Sequence, residues 1–293
     1  MMASQRPQCR EITDHDIDSI AALLARGFPG RSQPYWRHGL ERQRTREVPA
    51  GYPRYGYVLE SEGQPVGVLL LLFTATTFRD EVTIRCNVAS WYVDPPFRGH
   101  APRLVWAGLR HRDVTYINVT PAVSTWEVVE ALGFKRYCKG LLFSLPLMSH
   151  IDRDARVEIV TPNSDTIADL ADAERDLLLR HADYGCLSLV VRVPGEAPHP
   201  FILMPYRLRH GTIPLPAMQL IYCRNVEDYG RFAHAIGGVA LSRGSPVIVL
   251  DSNGPMPGVV GWYTEMRGRK YFRGPNLPSL ADLAETELPL YGP

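Results

Sequence analysis

The stretch TIRCNVASWYVDPPFRGHAPRLVWAGLRH, residues 83–111, changes character twice. Its first eleven residues are rich in β-branched and aromatic types and read as a strand, which stops at Asp94, Pro95 and Pro96 because proline has no N–H to give a sheet. Beyond the loop, RLVWAGLRH (103–111) carries its apolar residues at helical spacing. A buried strand therefore runs through a short glycine-containing loop into a helix.

Working outward, PRYGYVLESEGQPVGVLLLLFTATT (53–77) reads as two strands joined by a glycine-containing turn at Ser61 to Gln64, which predicts a hairpin. The chain enters through a helix capped at Thr13, with Asp16 three residues on, Ile17, Ile20, Ala21 and Leu24 at helical spacing, and Gly27 and Pro29 to end it. A second helix is expected over YWRHGLERQ (35–43). Downstream, VTYINV (114–119) reads as a strand and STWEVVEALGF (124–134) as a helix closed by Gly133. The order is helix, hairpin, strand, helix, strand, helix.

After strand-like LLFSLPL (141–147) comes polar SHIDRDAR (149–156), the best linker, and the pattern restarts. Glu11-Ile12-Thr13 leads into Ile20 to Leu23; Ile159-Val160-Thr161 leads in the same way into Ile167-Ala168-Asp169-Leu170, where a helix is expected. LSLVVRV (187–193), PFILMPYRL (200–208) and AMQLIYCRNV (217–226) follow as strands, then a helix through Arg231 to Leu241 and PVIVL (246–250) as another strand. VVGWYTEMRGRKYF (259–272) reads as a last hairpin turning at Arg267-Gly268. Duplication is the simplest account, with domains at 1–147 and 157–293 joined by a linker at 148–156, although two α+β halves can share element order by chance.

At 45% hydrophobic and 22% charged, the chain is expected to fold rather than stay disordered. A net charge of +1 gives no global reason to expect nucleic acid or an anionic membrane as partner. Five widely spaced cysteines without a CxxC pair suggest neither a disulfide framework nor zinc, and nine histidines form no HExxH-type pair, so no metal is expected. The most apolar run, VGVLLLLF (66–73), is too short to span a bilayer, and the reading is of a cytoplasmic protein.

The first half, residues 9 to about 147, resembles the GNAT (N-acetyltransferase) superfamily. YVLESEGQPVGVLLLL (57–72) is similar to that family's second and third strands, VDPPFRGHAPRLVWAGL (93–109) to its fourth strand, pyrophosphate loop and following helix, and STWEVVEALGFKRY (124–137) to its last helix and terminal Gly-Phe. The whole chain resembles the tandem mycothiol synthase and peptidoglycan-bridge relatives in architecture. The resemblance implies an α/β (α+β) fold of two tandem GNAT-like domains, each a mixed, mostly antiparallel twisted sheet flanked by helices. It also implies acyl transfer from acyl-CoA or acetyl-CoA, without a covalent intermediate, to a small-molecule or peptidyl amine.

In such a site, backbone N–H groups at a helix N-terminus hold the coenzyme's pyrophosphate, aided by the helix dipole. The family register falls on Arg98, Gly99, His100, Ala101, Pro102 and Arg103, with Val93 on the preceding strand. Ala101 stands where glycine is usual, Arg103 where a small residue is usual, and Pro102 removes one N–H. Arg98 and Arg103 would then meet phosphate by side chain, or be solvated residues of a surface turn.

A family member commonly carries a carboxylate base on its fourth strand; TIRCNVASWYV has none, leaving Glu81 and Asp80 before it and Asp94 after it, as bases acting through water or as turn residues. The tyrosine that protonates the departing thiolate aligns with Val129, so Tyr137 and Tyr116 are the nearest substitutes, or core residues. In DSNGPMPGVVGWYTEMRGRKYFRGP (251–275), Asp251, Asn253, Trp262 and Tyr263 fit a substrate loop or a plain hairpin connection. Glu227 and Asp228 open the second half's helix and would repel phosphate, so the donor is expected in the first half. The competing expectations are a binding or scaffold protein that lost the coenzyme, and a donor such as acyl-carrier protein or aminoacyl-tRNA.

Overall fold

The computed structural model describes residues 6–78, 81–164, 167–210 and 213–292. Strand β1 (Gln8–Glu11) leads to Thr13, whose backbone N and Oγ1 both donate to Asp16 at 2.8 Å. That closed turn launches α1 (Ile17–Gly27), which buries Ile17, Ile20, Ala21, Leu23 and Leu24 on one face. Ser32 caps α2 (Gln33–Thr45). Strands β2 (Gly56–Ser61) and β3 (Gln64–Phe78) form the expected hairpin, turning on Glu62 and Gly63 at φ 52° and 74°, the paired left-handed geometry that matches strand twist.

Then come β4 (Glu81–Val93), a 3₁₀ turn over Pro95–His100, α3 (Ala101–Gly108), β5 (Thr115–Asn118), α4 (Trp126–Ala131), β6 (Lys135–Cys138) and β7 (Gly140–Ser144). The rest of the chain supplies β8 (Arg156–Val160), α5 (Asp172–Asp183), β9 (Leu187–Arg192), β10 (His199–His210), β11 (Ile213–Cys223), α6 (Val226–Ser242), β12 (Val247–Ser252), β13 (Gly261–Thr264), β14 (Lys270–Arg273) and α7 (Glu287–Tyr291).

Two seven-stranded sheets result. The first has the order β1-β2-β3-β4-β5-β14-β6 and the second, read from its own first strand, β8-β9-β10-β11-β12-β7-β13. Each is antiparallel except for one parallel pair, β4 with β5 and β11 with β12. The fold class is therefore as expected, two mixed and mostly antiparallel sheets flanked by helices.

The two orders correspond place for place, and the sixth place is exchanged: β14 fills it in the first sheet, β7 in the second. The predicted hairpin over 259–272 does not form, because β13 pairs with β7 while β14 pairs with β5 and β6. Gly268 bends the chain at φ 82° between the sheets. Left out of the hairpin, β14 covers edges of β5 and β6 that would otherwise stand unpaired. The helix expected at Ile167 to Leu170 is a turn, with Ile167 and Leu170 buried as anchors, and α5 begins at Asp172.

One face of the first sheet packs on α3 and α4 through Leu69, Leu71, Cys86, Leu104 and Tyr116. Its other face packs on α1 and α2 through Val68, Leu70 and Leu72, joined there by Leu290 and Tyr291 of α7. Ile117 and Val119 meet Val190, Ile202 and Ile221 of the second sheet in a core shared between the sheets. No helix among the described residues is long and apolar enough to cross a membrane.

Candidate active site

Strand β4 is where the first sheet opens. Leu69 pairs with Trp91 and Leu71 with Val88, so Ala89 and Ser90 together oppose Leu70: a β-bulge, which turns the end of β4. Strand β5 follows β4 only from Arg85 opposite Thr115 to Asn87 opposite Ile117 and ends at Asn118, with β14 paired along its other edge. From Val88 to Val93, β4 has a paired edge toward β3 and, among the described residues, no strand partner on the other side. A cleft whose wall carries free backbone N–H and C=O groups can bind an extended, amide-containing chain as a strand would.

At the end of this wall Val93 is buried against Gly67, and Asp94 donates its N–H to Val66 O at 2.8 Å. Burial would raise the Asp94 carboxyl, but hydrogen bonds from Arg26 and Tyr92 hold it below the usual carboxylate range. Asp94 is thus a fixed anion. The 3₁₀ turn then runs directly into α3, and Ala101 gives its N–H to Arg98 O. With that N–H used and Pro102 lacking one, the helix N-terminus offers less backbone to a phosphate than a glycine loop would.

The side chains differ in readiness. Arg98 and Gly99 are exposed, and no ion pair or hydrogen bond is made by the Arg98 guanidinium among the described residues. His100 and Ala101 are half-buried. Arg103 donates to Pro7 O at 2.6 Å, on the side of α3 where Cys9, Tyr57 and Trp106 line a cavity of about 540 Å³. The structure thus places Val93, Arg98, Gly99, His100 and Ala101 at one end of the unpaired β4 edge, and ties Arg103 elsewhere.

Glu81 begins β4, opposite Phe78 and exposed, twelve residues from Val93 and so roughly 40 Å away along an extended strand. Asp80 lies outside the described residues. Tyr137 on β6 is separated from β4 by β5 and β14; its ring meets Phe272 edge-on and its buried hydroxyl has no partner among the described residues. Burial and the nearby Asp251 push that phenol far up. Tyr116 is buried on the α3 face and accepts a hydrogen bond from His111 N. Val129 is a core residue.

Asn253 is placed at the strand crossover, where it accepts from Lys139 N and donates to Tyr137 O. Trp262 stacks on Phe143 at 4.9 Å.

A carboxylate does reach the cleft, from the other end of the chain. Glu287 of α7 accepts hydrogen bonds from Asn87 Nδ2 on β4 and from Thr120 Oγ1 beyond β5, and so spans the opening on the α1/α2 face. Helix α7 is seated by Tyr291, whose hydroxyl donates to Gln43 Oε1 at 2.7 Å and whose ring lies against Trp36. Its approach is fixed by Arg85 with Asp282 and by Glu285 with Arg46 and Arg180. Burial raises the Glu287 carboxyl against the opposing pull of its hydrogen bonds and of Lys270. Sequence reasoning missed Asn87, Thr120 and Glu287. The one local signal was Thr286, an N-cap residue before Glu287, and it says that a helix starts without saying where it docks.

Among the described residues no group of three His, Cys, Asp or Glu side chains is arranged to hold a metal ion. A bulged fourth strand, a parallel and splayed fifth, and a turn into a helix at the strand's end, in a chain with two such sheets, define the tandem GNAT fold. No protein-family model matches the sequence, and no curated protein is similar to it by sequence. Solved structures are similar in fold. A GCN5-related N-acetyltransferase from Anabaena variabilis aligns with a TM-score of 0.58 at 14% identity, over 92% of this chain and 72% of that one. A Pyrococcus horikoshii protein provisionally described as an acetyltransferase gives 0.57 at 14% identity, over 97% and 94%. Eis1 from Mycobacterium abscessus gives 0.50 at 13% identity, over 91% and 73%.

Proposed function

We propose that the protein is an N-acyltransferase that moves an acyl group from acyl-CoA, such as acetyl-CoA, to an amine by direct attack on the thioester. The observation that supports this reading best is the edge of β4 from Val88 to Val93 that no described strand pairs, left by the Ala89–Ser90 bulge and the early end of β5 at Asn118. The donor's amide-containing arm lies along that edge with its pyrophosphate at Arg98, Gly99, His100 and Ala101. Arg98 is the principal cation, because Arg103 is held by Pro7 O. Holding donor and amine together in the cleft supplies much of the rate. Glu81, roughly 40 Å from Val93 along the strand, and Tyr137, two strands away with a buried hydroxyl, lie too far from that edge to serve as its base and acid.

The division into 1–147 and 157–293, with a linker at 148–156, is part of the same proposal: the first half holds the donor and the second shapes the acceptor side, each completing the other's sheet with one strand. The fold likeness, at 14% identity or less for the structures named, supports the architecture and leaves donor and acceptor to experiment.

A second reading, a scaffold that kept the fold without the coenzyme, is favoured by the spent Ala101 N–H and by Pro102. Calorimetric titration with acetyl-CoA and longer acyl-CoAs separates the two. Saturable binding that weakens about 10-fold or more in Arg98→Ala, the loss of one charge-assisted hydrogen bond, supports the donor site. No binding of any acyl-CoA rejects it in favour of the scaffold, or of a donor such as acyl-carrier protein or aminoacyl-tRNA.

A further inference from the structure

Resting on the acyl-transfer reading, we propose that Glu287, delivered by the C-terminal helix α7 to the open edge of β4, is the general base that deprotonates the acceptor amine. Strand β4 itself carries no carboxylate between Val82 and Val93. At Asn87, the last residue of β4 that β5 still accompanies, the position facing α7 holds an amide, and that amide donates to Glu287. Thr120 holds the other carboxylate oxygen from across the splay. The base missing from the strand is thus replaced in space by one from about 200 residues later, as the sequence separation of the Asn87–Glu287 pair records.

Two further features suit an incoming amine. Asn87 Oδ1 is buried and has no hydrogen-bond partner among the described residues, so beside the carboxylate the fold leaves one polar acceptor unused. Thr120, whose hydroxyl holds Glu287 Oε1, is exposed, so the buried carboxylate lies directly beneath a surface residue on that side. The other titratable groups around Glu287 are Lys270 on β14, Tyr35 on α2 and Tyr291 on α7. Both phenols are raised by burial and stay neutral across the working range, so Lys270 is the charge that opposes protonation of Glu287.

The step balances. An ammonium gives one proton to the Glu287 carboxylate, which returns it to solvent. The neutral nitrogen then bonds to the thioester carbon, the C–S bond breaks, and one of the two hydrogens left on nitrogen goes as a proton to the thiolate while the other stays, giving a secondary amide and a thiol. Only an unprotonated Glu287 performs the first transfer, so activity rises with pH through its titration, which the burial places above the ordinary carboxylate range.

The test measures thiol release from acetyl-CoA with a polyamine, an amino sugar and a lysine peptide as acceptors, from pH 6 to 10, for wild type and Glu287→Gln. Urea unfolding and calorimetric acetyl-CoA affinity are recorded in parallel. Gln keeps the shape and the bond to Asn87, so the expected variant unfolds and binds acetyl-CoA as wild type does, while kcat/KM for the amine falls about 100-fold or more and the acidic limb disappears. Glu287→Asp recovers part of the rate. If Glu287→Gln fails to fold, Thr120→Val serves instead: losing the hydroxyl that favours the anion moves the acidic limb of an otherwise active enzyme to higher pH. An active wild type whose rate and limb survive in Glu287→Gln overturns this assignment and leaves acyl transfer standing. A wild type that binds acetyl-CoA and acylates none of the three amines overturns the amine base alone. No binding and no turnover overturns both.

Discussion

Lys270 Nζ donates to Asp251 Oδ1 at 2.7 Å, and this bond joins β14 of the first sheet to β12 of the second beside the point where the two halves trade strands. Both side chains are almost completely buried. Removing two charges from water costs several kcal/mol per ion, so the pair locks the arrangement more than it adds net stability. Lys270→Met leaves the Asp251 carboxyl buried without its cation, with an Oδ2 that already lacks a partner among the described residues. The expected loss is about 3–5 kcal/mol in urea unfolding, and the Lys270→Met/Asp251→Leu double variant regains most of it. Equal losses in single and double variants would mean that side-chain shape, not charge pairing, holds the crossover.

The exchange also bears on whether either half folds alone. A fragment of residues 1–147 lacks β14, so β5 loses the partner on one edge, β6 loses its link to the sheet, and β7 loses both of its partners. Residues left as unpaired edges invite association with other chains. The fragment is expected to elute as aggregate in gel filtration and to show no cooperative melt, whereas the full chain melts in one transition. A monomeric fragment with a sharp melt would show the exchanged strand to be dispensable.

Much of this fold was legible because it is local. The capped first helix, the β2–β3 hairpin and the strand that stops at Asp94-Pro95-Pro96 each carry their cause within a few residues. The 259–272 segment shows the limit. A glycine at φ 82° bends the chain equally well into a hairpin or across to another sheet, and the choice is made by edges of β5 and β6 more than 130 residues away. The site divides in the same way. Arg98 and Gly99 were readable from their place after a strand; Glu287 was not, because its partners Asn87 and Thr120 become neighbours only when the C-terminal segment docks.

That docking has its own pH dependence. Burial would raise the Glu285 carboxyl, but Arg46 and Arg180, from the two sides of the molecule, hold it lowered. A depressed folded pKa means stability that is present in full above the unfolded value of about 4.3 and is lost as pH falls through the folded one. The melting temperature of wild type should therefore hold down to about pH 5 and, below about pH 4.3, drop more steeply than that of Glu285→Gln. The variant should already be weaker by about 3 kcal/mol at pH 7, since Arg46 is left buried and unpaired by charge. Parallel pH curves for the two proteins would remove Glu285 as the source.

The seat of α7 is tightest at Gly39. A Cβ built there would stand 1.9 Å from Tyr291 Cδ1, so Gly39→Ala must push the Tyr291 ring out of its place between α2 and the C-terminal helix. Alanine in a helix is otherwise favoured over glycine by about 1 kcal/mol. The sign of the change therefore tests the contact. Overpacking of this kind costs about 1–3 kcal/mol net, and the variant should also expose its C-terminal segment to limited proteolysis. Tyr291→Ala removes the obstacle, so Gly39→Ala in that background should become neutral or stabilising, a coupling that a double-mutant cycle reads directly. Additive losses would place the Gly39 constraint elsewhere on α2 and detach it from the position of Glu287.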